Sequence, residues 1–388
     1  MRILTRTEDL AAFCQRAATF PYVTVDTEFL RERTYYSRLC LVQLAVPGED
    51  DAEDAVLVDP MKEGLSLEPL YELFRAQGTV KVFHAARQDL EIFFVDAGIF
   101  PDPLFDTQVA AMVCGFGEQV GYETLVRKIA NAGLDKTSRF TDWSRRPLTE
   151  AQQRYALADV THLRAIYEHL QAELLRTGRA WWLAEELAIL TDPETYRVAP
   201  EEAWRRVKTR TNSGKFLALV RELAAFRERY AQTRDVPRSR VFKDDALLEL
   251  ASTKPRSHGD LGRGRLLMRE ARKGEIADGI LEAVRKGLEC PPEEYPEVDR
   301  SREKLQVNPA LADLLRVLLK AKAEHEGVAQ KLIATASDLD AIAGGMRDVL
   351  ALAGWRREVF GDDALRLCNG EIALSAEGTS VQIVDLKP

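Results

Sequence analysis

A change of hydrophobic period along the chain restricts the fold more than any other feature. Through roughly the first 110 residues short β-branched runs alternate with helical stretches. YVTVDTEF (22–29), LCLVQLAV (39–46), AVLVDP (55–60) and VKVFHA (80–85) read as strands, with LYELF and DLEIFF helical between and after them. Such alternation calls for a sheet covered by helices, an α/β unit. From about residue 145 the period is almost wholly helical. Thr149 and Gln152 have the spacing of a capping box. Behind them Ala156, Val160, Leu163, Tyr167 and Leu170 form one apolar stripe, which predicts a helix packed on the sheet.

A chain of 388 residues has room for two or three cores. TDPETYRVAPEE (191–202) and CPPEEYPEVDRS (290–301) read as linkers. Around the second lies an internal repeat. DVPRSRVFKDDALLEL (235–250) aligns without gaps to GVAQKLIATASDLDAI (327–342), an offset of 92 residues. Val236 matches Val328, Val241 matches Ile333, Leu247 matches Leu339 and Leu250 matches Ile342. Two small helical domains of related fold are therefore expected, with GEIALSAEGTSVQIVDL (370–386) as a hairpin appended to the second. The expected division is an α/β domain over 1–200 and helical domains over 203–290 and 300–388.

Charge is divided unevenly among these segments. Residues 1–202 carry 21 basic against 33 acidic side chains, 203–290 carry 21 against 12, and 291–388 carry 12 against 17. A segment of net +9 between two acidic ones is either the footprint of a polyanion or a solvated face. Apolar residues at 46% and charged residues at 30% argue against disorder, collagen and coiled-coil rods. No uncharged apolar run approaches the roughly 18 residues of a membrane span, and the N-terminal segment turns acidic at Glu8 and Asp9 without an apolar stretch. The five cysteines include no C-x-x-C pair and read as small buried hydrophobes of a reduced cytoplasm. A cytoplasmic protein with no membrane partner and no obligate protein partner is expected.

Three short elements carry chemistry. In VTVDTEF, Asp26 and Glu28 stand two apart on a strand, so both carboxylates point to one side of the sheet. In FHAARQDL a strand ends at His84 and a helix begins before Asp89. In RYALADV, Tyr155 and Asp159 are neighbours on one helix face. Taken singly these read as a strand end and a surface pair. Four carboxylates with no matching basic cluster converge only if cations hold them, and hard oxygen ligands select Mg²⁺ or Mn²⁺. The five histidines contain no H-E-x-x-H and have no cysteine partners, which argues against zinc. Two divalent ions about 3.5–4 Å apart would suit phosphodiester hydrolysis.

D-T-E-F, H-A-x-x-x-D and Y-A-x-x-D resemble the three exonuclease motifs of the DEDD superfamily, in its tyrosine-bearing subclass. KTSRFTDWSRRPL (136–148) strengthens the likeness, and the helical repeats resemble HRDC domains, the first more than the second. The resemblance implies an RNase H-like (DnaQ-type) exonuclease domain followed by two all-α HRDC-like domains. It implies that Asp26, Glu28, Asp89 and Asp159 bind two divalent metal ions, Mg²⁺ or Mn²⁺, and that Tyr155 orients the attacking water. A phenol with a pKa near 10 is a poor base at neutral pH, so orientation is the safer role. Phe29 reads as a stacking surface for a terminal base or as core; His84 as a sugar or phosphate contact or a satisfied strand-end histidine; Lys136 as a phosphate contact or a solvated loop residue. The implied activity is 3′-to-5′ exoribonucleolytic release of nucleoside 5′-monophosphates from RNA, especially 3′ trailers of transfer RNA precursors and other small structured RNAs. A DNA exonuclease would share every catalytic acid, since the chemistry acts at phosphate. The second repeat replaces Arg240, Phe242 and Asp244 by Leu332, Ala334 and Ala336. That weakens the case for a nucleic-acid contact there, and covering the active-site mouth or packing on the first repeat is an equal expectation.

Overall fold

The computed structural model describes residues 1–135, 137–138, 141–297 and 306–386. Its first unit is a six-stranded sheet of β1 (Ile3–Leu4), β2 (Tyr22–Leu30), β3 (Arg38–Ala45), β4 (Ala55–Val58), β5 (Val80–Phe83) and β6 (Leu104–Asp106), in the order β1-β4-β3-β2-β5-β6. Helices α1 (Thr7–Ala17), α2 (Asp51–Asp54), α3 (Glu68–Arg75), α4 (Arg87–Ala97), α5 (Thr107–Val113) and α6 (Tyr122–Leu125) alternate with or follow the strands, and α7 (Glu150–Thr177) and α8 (Ala180–Leu190) complete the unit. Four strands fall where the alternation predicts them. β1 and β6, at two and three residues, are too short to show a period.

β2 pairs antiparallel with β3 and parallel with β5. Its alternation sends Val23 and Val25 into the layer shared with α1, α3 and α4, and turns Thr24, Asp26 and Glu28 toward α7. The Thr24 hydroxyl reaches the Val160 carbonyl of α7 at 2.9 Å, which ties strand to helix. Helix α7 starts at the capping box that the sequence predicts: Thr149 Oγ1 accepts from the Gln152 amide and Gln152 Oε1 accepts from the Thr149 amide. All five residues of its apolar stripe are buried.

The helical units repeat in detail. α9 (Gly214–Arg234), α10 (Arg238–Val241) and α11 (Asp244–Thr253) correspond to α14 (Pro309–Glu326), α15 (Gln330–Ile333) and α16 (Ala336–Ala343), with α10 and α15 offset by 92 residues. α12 (His258–Arg263) follows only in the first copy. The closing helix α13 (Gly274–Glu289) of the first copy corresponds to α17 (Gly354–Arg356) and α18 (Asp362–Cys368) of the second, now at an offset of 80. The hairpin β7 (Ile372–Glu377) and β8 (Ser380–Asp385) closes the chain as expected. Both copies end their first helix in a left-handed residue, Asp235 at φ 47° and Gly327 at φ 61°. Glycine adopts that conformation freely; aspartate there has a reason, given by its contacts.

Asp235 Oδ1 accepts from the backbone amides of Tyr35 and Tyr36, both at 3.0 Å, in the loop after β2. Around it Tyr35 donates to the buried Glu228, and Arg238 bonds Glu228 and the Tyr35 hydroxyl, the latter at 2.8 Å. The first helical unit thus docks through a polar network. The second docks through apolar contact and shares one core with α5 and α8. Trp355 stacks on Trp182 with centroids 4.5 Å apart, and its indole N–H donates to Glu186, which also pairs with Arg356 at 2.6 Å. The exposed Arg240 of the first copy is answered by the buried Leu332, so the second copy turns an apolar face to the sheet unit. Between them, the segment 191–206 is a packed strap and not a free linker, because Tyr196 seats against Phe94 and Phe100 and Trp204 enters the first helical core.

A shared core predicts shared unfolding. Trp355→Ala should cost about 3–5 kcal/mol and lower the midpoint of a transition common to fluorescence and far-ultraviolet circular dichroism. A separate early transition that leaves the sheet unit unmoved would show that the second helical unit is an independent domain.

Candidate active site

Asp26 and Glu28 project from the same face of β2, and Asp159 projects from α7, whose cap and stripe fix its rotation. The three carboxylates each place an oxygen within 4.8 Å of the others. Donor oxygens around a hexacoordinate Mg²⁺ with bonds of about 2.1 Å lie roughly 3 to 4 Å apart, so the cluster need contract by only about an ångström. The all-oxygen donor set and the spacing both fit a hard divalent cation.

Asp89 arrives differently. It lies buried in the first turn of α4 and accepts a hydrogen bond from Thr27, the β2 residue that faces away from the cluster. It is not one of the three clustered carboxylates, and the charge of Asp26 reaches it. Burial pushes the carboxyls of Asp26 and Asp89 well above the usual range, and the neighbouring charge, Asp159 for Asp26 and Asp26 for Asp89, adds to the push.

Asp106 holds the turn that delivers α4. Its carboxylate accepts from the amides of Ala85 and Ala86 at 3.0 and 2.8 Å and caps α5 through Gln108. This offsets the left-handed conformation of Ala85, at φ 57°. His84, just before that turn, meets the Thr107 hydroxyl through Nδ1 at 2.9 Å. That hydroxyl donates its proton to the Phe83 carbonyl, so His84 Nδ1 carries the hydrogen and Nε2 is left as an acceptor. Burial keeps the imidazole neutral by lowering its pKa, against the pull of Asp106.

Asp26, His84, Tyr155 and Asp159 line one cavity of about 260 Å³. Its far wall is Gly121, Tyr122, Glu123 and Thr124, at and around α6, which no sequence pattern singled out. Tyr122 donates to the Ala158 carbonyl at 3.0 Å and lies 5.4 Å from the His84 ring. Tyr155 is half-buried against the indole of Trp143, centroids 6.1 Å apart, so Trp143 anchors its ring. Arg146 forks onto Asp59 with two bonds of 2.7 Å and also bonds the Cys40 and Trp143 carbonyls, which braces the loop. Phe29 follows an irregularity in the β2–β3 register and is not among the cavity's lining residues. Lys136 lies outside the described residues.

Similarity to known proteins identifies the family. Residues 1–175 match the family model of a 3′-5′ exonuclease, and 216–284 match that of an HRDC domain. Over 383 residues the chain is 67% identical to the ribonuclease D of Jannaschia sp., with 99% of each covered. The chain belongs to the ribonuclease D family. Ribonuclease D of Granulibacter bethesdensis is 47% identical over 98% of this chain and 96% of that one. The crystal structure of Escherichia coli RNase D, an exoribonuclease involved in structured RNA processing, matches with a TM-score of 0.82 at 29% identity, over 95% of this chain and 98% of that one. Membership in the ribonuclease D family makes the chain a 3′-5′ exoribonuclease of a divalent-metal-dependent kind. Among the described residues no helix is long and apolar enough to cross a membrane.

The raised carboxyls give this ribonuclease D relative a definite pH response. Asp26 and Asp89 release their protons at higher pH in the folded, ion-free state than in the unfolded chain, so their contribution to ion-free stability falls as pH rises through their folded pKa values. A cation must displace those protons, so its affinity rises with pH. The rise in melting temperature on adding Mg²⁺ should be larger at about pH 8.5 than at about pH 6. An increment that shrinks with pH would contradict the upward shift of these carboxyls.

Proposed function

We propose that the chain releases nucleoside 5′-monophosphates one at a time from RNA 3′ ends by hydrolysis assisted by two divalent cations, acting on 3′ trailers of transfer RNA precursors and other small structured RNAs. The observation that carries this reading is the convergence of Asp26, Glu28 and Asp159 within 4.8 Å beside Tyr155 and His84 in one cavity. Asp26, Glu28 and Asp159 would hold one cation, and Asp26 with Asp89 the other. The bound cations would neutralise the attacked phosphate and the leaving oxygen. Tyr155, its ring fixed by Trp143, presents a hydroxyl that orients the attacking water. His84 offers Nε2 as an acceptor to a sugar hydroxyl. In this reading Phe29 and Lys136 meet substrate, if at all, outside the cavity's lining.

A second cleft, of about 860 Å³, supports RNA as the substrate. It lies between the sheet unit and the first helical unit and is lined by Arg31, Arg87, Arg197, Arg206 and Arg238 with Tyr35 and Tyr36. Arg31, Arg197 and Arg238 are paired with Glu91, Glu194 and Glu228. Arg87 and Arg206 are exposed, and among the described residues neither makes an ion pair. Arg87 stands two residues before Asp89 and Arg31 three after Glu28, so a strand whose end sits in the cavity would run on toward these guanidinium groups. The organisation we propose is a catalytic unit over 1–200, a basic HRDC unit over 203–290 and a divergent HRDC-like unit over 300–388.

Matched 3′-labelled RNA and DNA oligonucleotides, with Mg²⁺, Mn²⁺ or EDTA, test the reading. RNA should shorten from its 3′ end, activity should vanish in EDTA, and Asp26→Asn or Asp159→Asn should slow turnover by orders of magnitude in a folded protein. Full activity in EDTA, or a near-unchanged rate in either variant, would overturn it.

Tyr155→Phe removes one hydrogen bond and leaves the ring packing in place. Single-turnover cleavage at saturating enzyme should slow by about 10²-fold with RNA affinity kept; an unchanged rate would assign Tyr155 to structure.

Replacing Arg87 and Arg206 by Gln should weaken binding of a long single strand and reduce the slope of log affinity against log salt by up to about one per lost phosphate contact. Equal slopes for variant and parent protein, measured by fluorescence anisotropy in EDTA, would remove the cleft from the RNA path.

A further inference from the structure

Gln43 sits at the centre of β3, fully buried. Five buried side-chain polar atoms among the described residues have no hydrogen-bond partner, and two of them are its Nε2 and Oε1. Leaving such groups unpaired in an apolar interior costs roughly 1–3 kcal/mol each, so a carboxamide is a poor choice for filling this layer. The sheet register shows what it faces. Gln43 is paired with Asp26 on β2 and with Leu57 on β4. Residues directly opposed in an antiparallel pair share a face, with Cβ atoms about 4.5–5.5 Å apart. Its apolar neighbours on that face are Leu41, Ala45 and Leu57 under Ala156 and Val160 of α7. Asp26 is the charged group directly opposite an unpartnered amide, and Thr24 and Glu28 on the same face stand opposite Ala45 and Leu41 instead.

We propose that Gln43 is the positioning residue for Asp26: its Nε2 donates to the ionised Asp26 carboxylate and holds the remaining oxygen toward the cation site. This rests on the reading of Asp26 as a metal ligand. A carboxylate tethered from behind loses rotational freedom before it meets the ion, which raises affinity, and hydrogen-bond partners of this kind change metal affinity by about 10- to 100-fold when removed. Stability and metal affinity then pull in opposite directions at this residue. An apolar side chain of similar length would relieve the buried amide and stabilise the ion-free protein while loosening Asp26.

The test is Gln43→Met in the full chain, read by thermal melting without metal and by Mn²⁺ titration followed by electron paramagnetic resonance. The melting temperature should rise, and the Mn²⁺ dissociation constant should increase about 10- to 100-fold. An unchanged dissociation constant overturns the proposal, whatever the melting temperature does. Gln43→Leu repeats the measurement if the methionine variant does not fold; failure of both to fold assigns the amide to the fold's stability and also overturns it. A parent protein that binds Mn²⁺ no better than Asp26→Asn would instead reject the assignment of Asp26 itself.

Discussion

Repulsion among Asp26, Glu28 and Asp159 sets the demands that the sheet unit has to meet. Ionised carboxylates within 4.8 Å of one another repel by about 3–4 kcal/mol per pair at an effective dielectric constant near 20. Loops would relax away from such a contact. Here the acids are carried by regular elements: the β2 strand, paired with β3 along the stretch that bears Asp26 and Glu28, and a 28-residue helix with a complete capping box. Thr24 pins one to the other. The repulsion is then relieved by cations or by protons, and it adds to the upward push that burial already exerts on the Asp26 and Asp89 carboxyls. The ion-binding chemistry is thus a consequence of rigidity imposed on like charges.

The two helical units show how one fold serves two docking chemistries. The first keeps a charged surface and attaches through the Tyr35, Glu228, Arg238 and Asp235 network, polar contacts that leave a basic cleft beside the junction. The second has lost that surface, exposed Arg240 being answered by buried Leu332, and continues the core of α5 and α8 through Trp355. Among the described residues its core is shared with α5 and α8 of the sheet unit, and none of its residues lines the catalytic cavity.

Local patterns made much of the site legible. Alternation in VTVDTEF put Asp26 and Glu28 on one face, the Thr149 to Gln152 spacing set the start of α7, and the gapless repeat anticipated equivalent helices 92 residues apart. What escaped has physical reasons. The wall formed by Tyr122, Glu123 and Thr124 follows a helix of four residues, too short for a period. The Thr27 to Asp89 bond joins residues 62 apart, a pairing created only when α4 meets β2 in the fold. Phe29 follows a register irregularity that strict alternation cannot anticipate. Gln43 looked like one more member of an apolar strand, and its meaning depends on which residue stands across from it.

Diffraction from crystals soaked in Mn²⁺, at a wavelength where manganese scatters anomalously, should show two peaks, one bounded by Asp26, Glu28 and Asp159 and the other between Asp26 and Asp89. Crystals soaked at a concentration that supports RNA cleavage, yet with no manganese at these carboxylates, would contradict cation binding by this cluster.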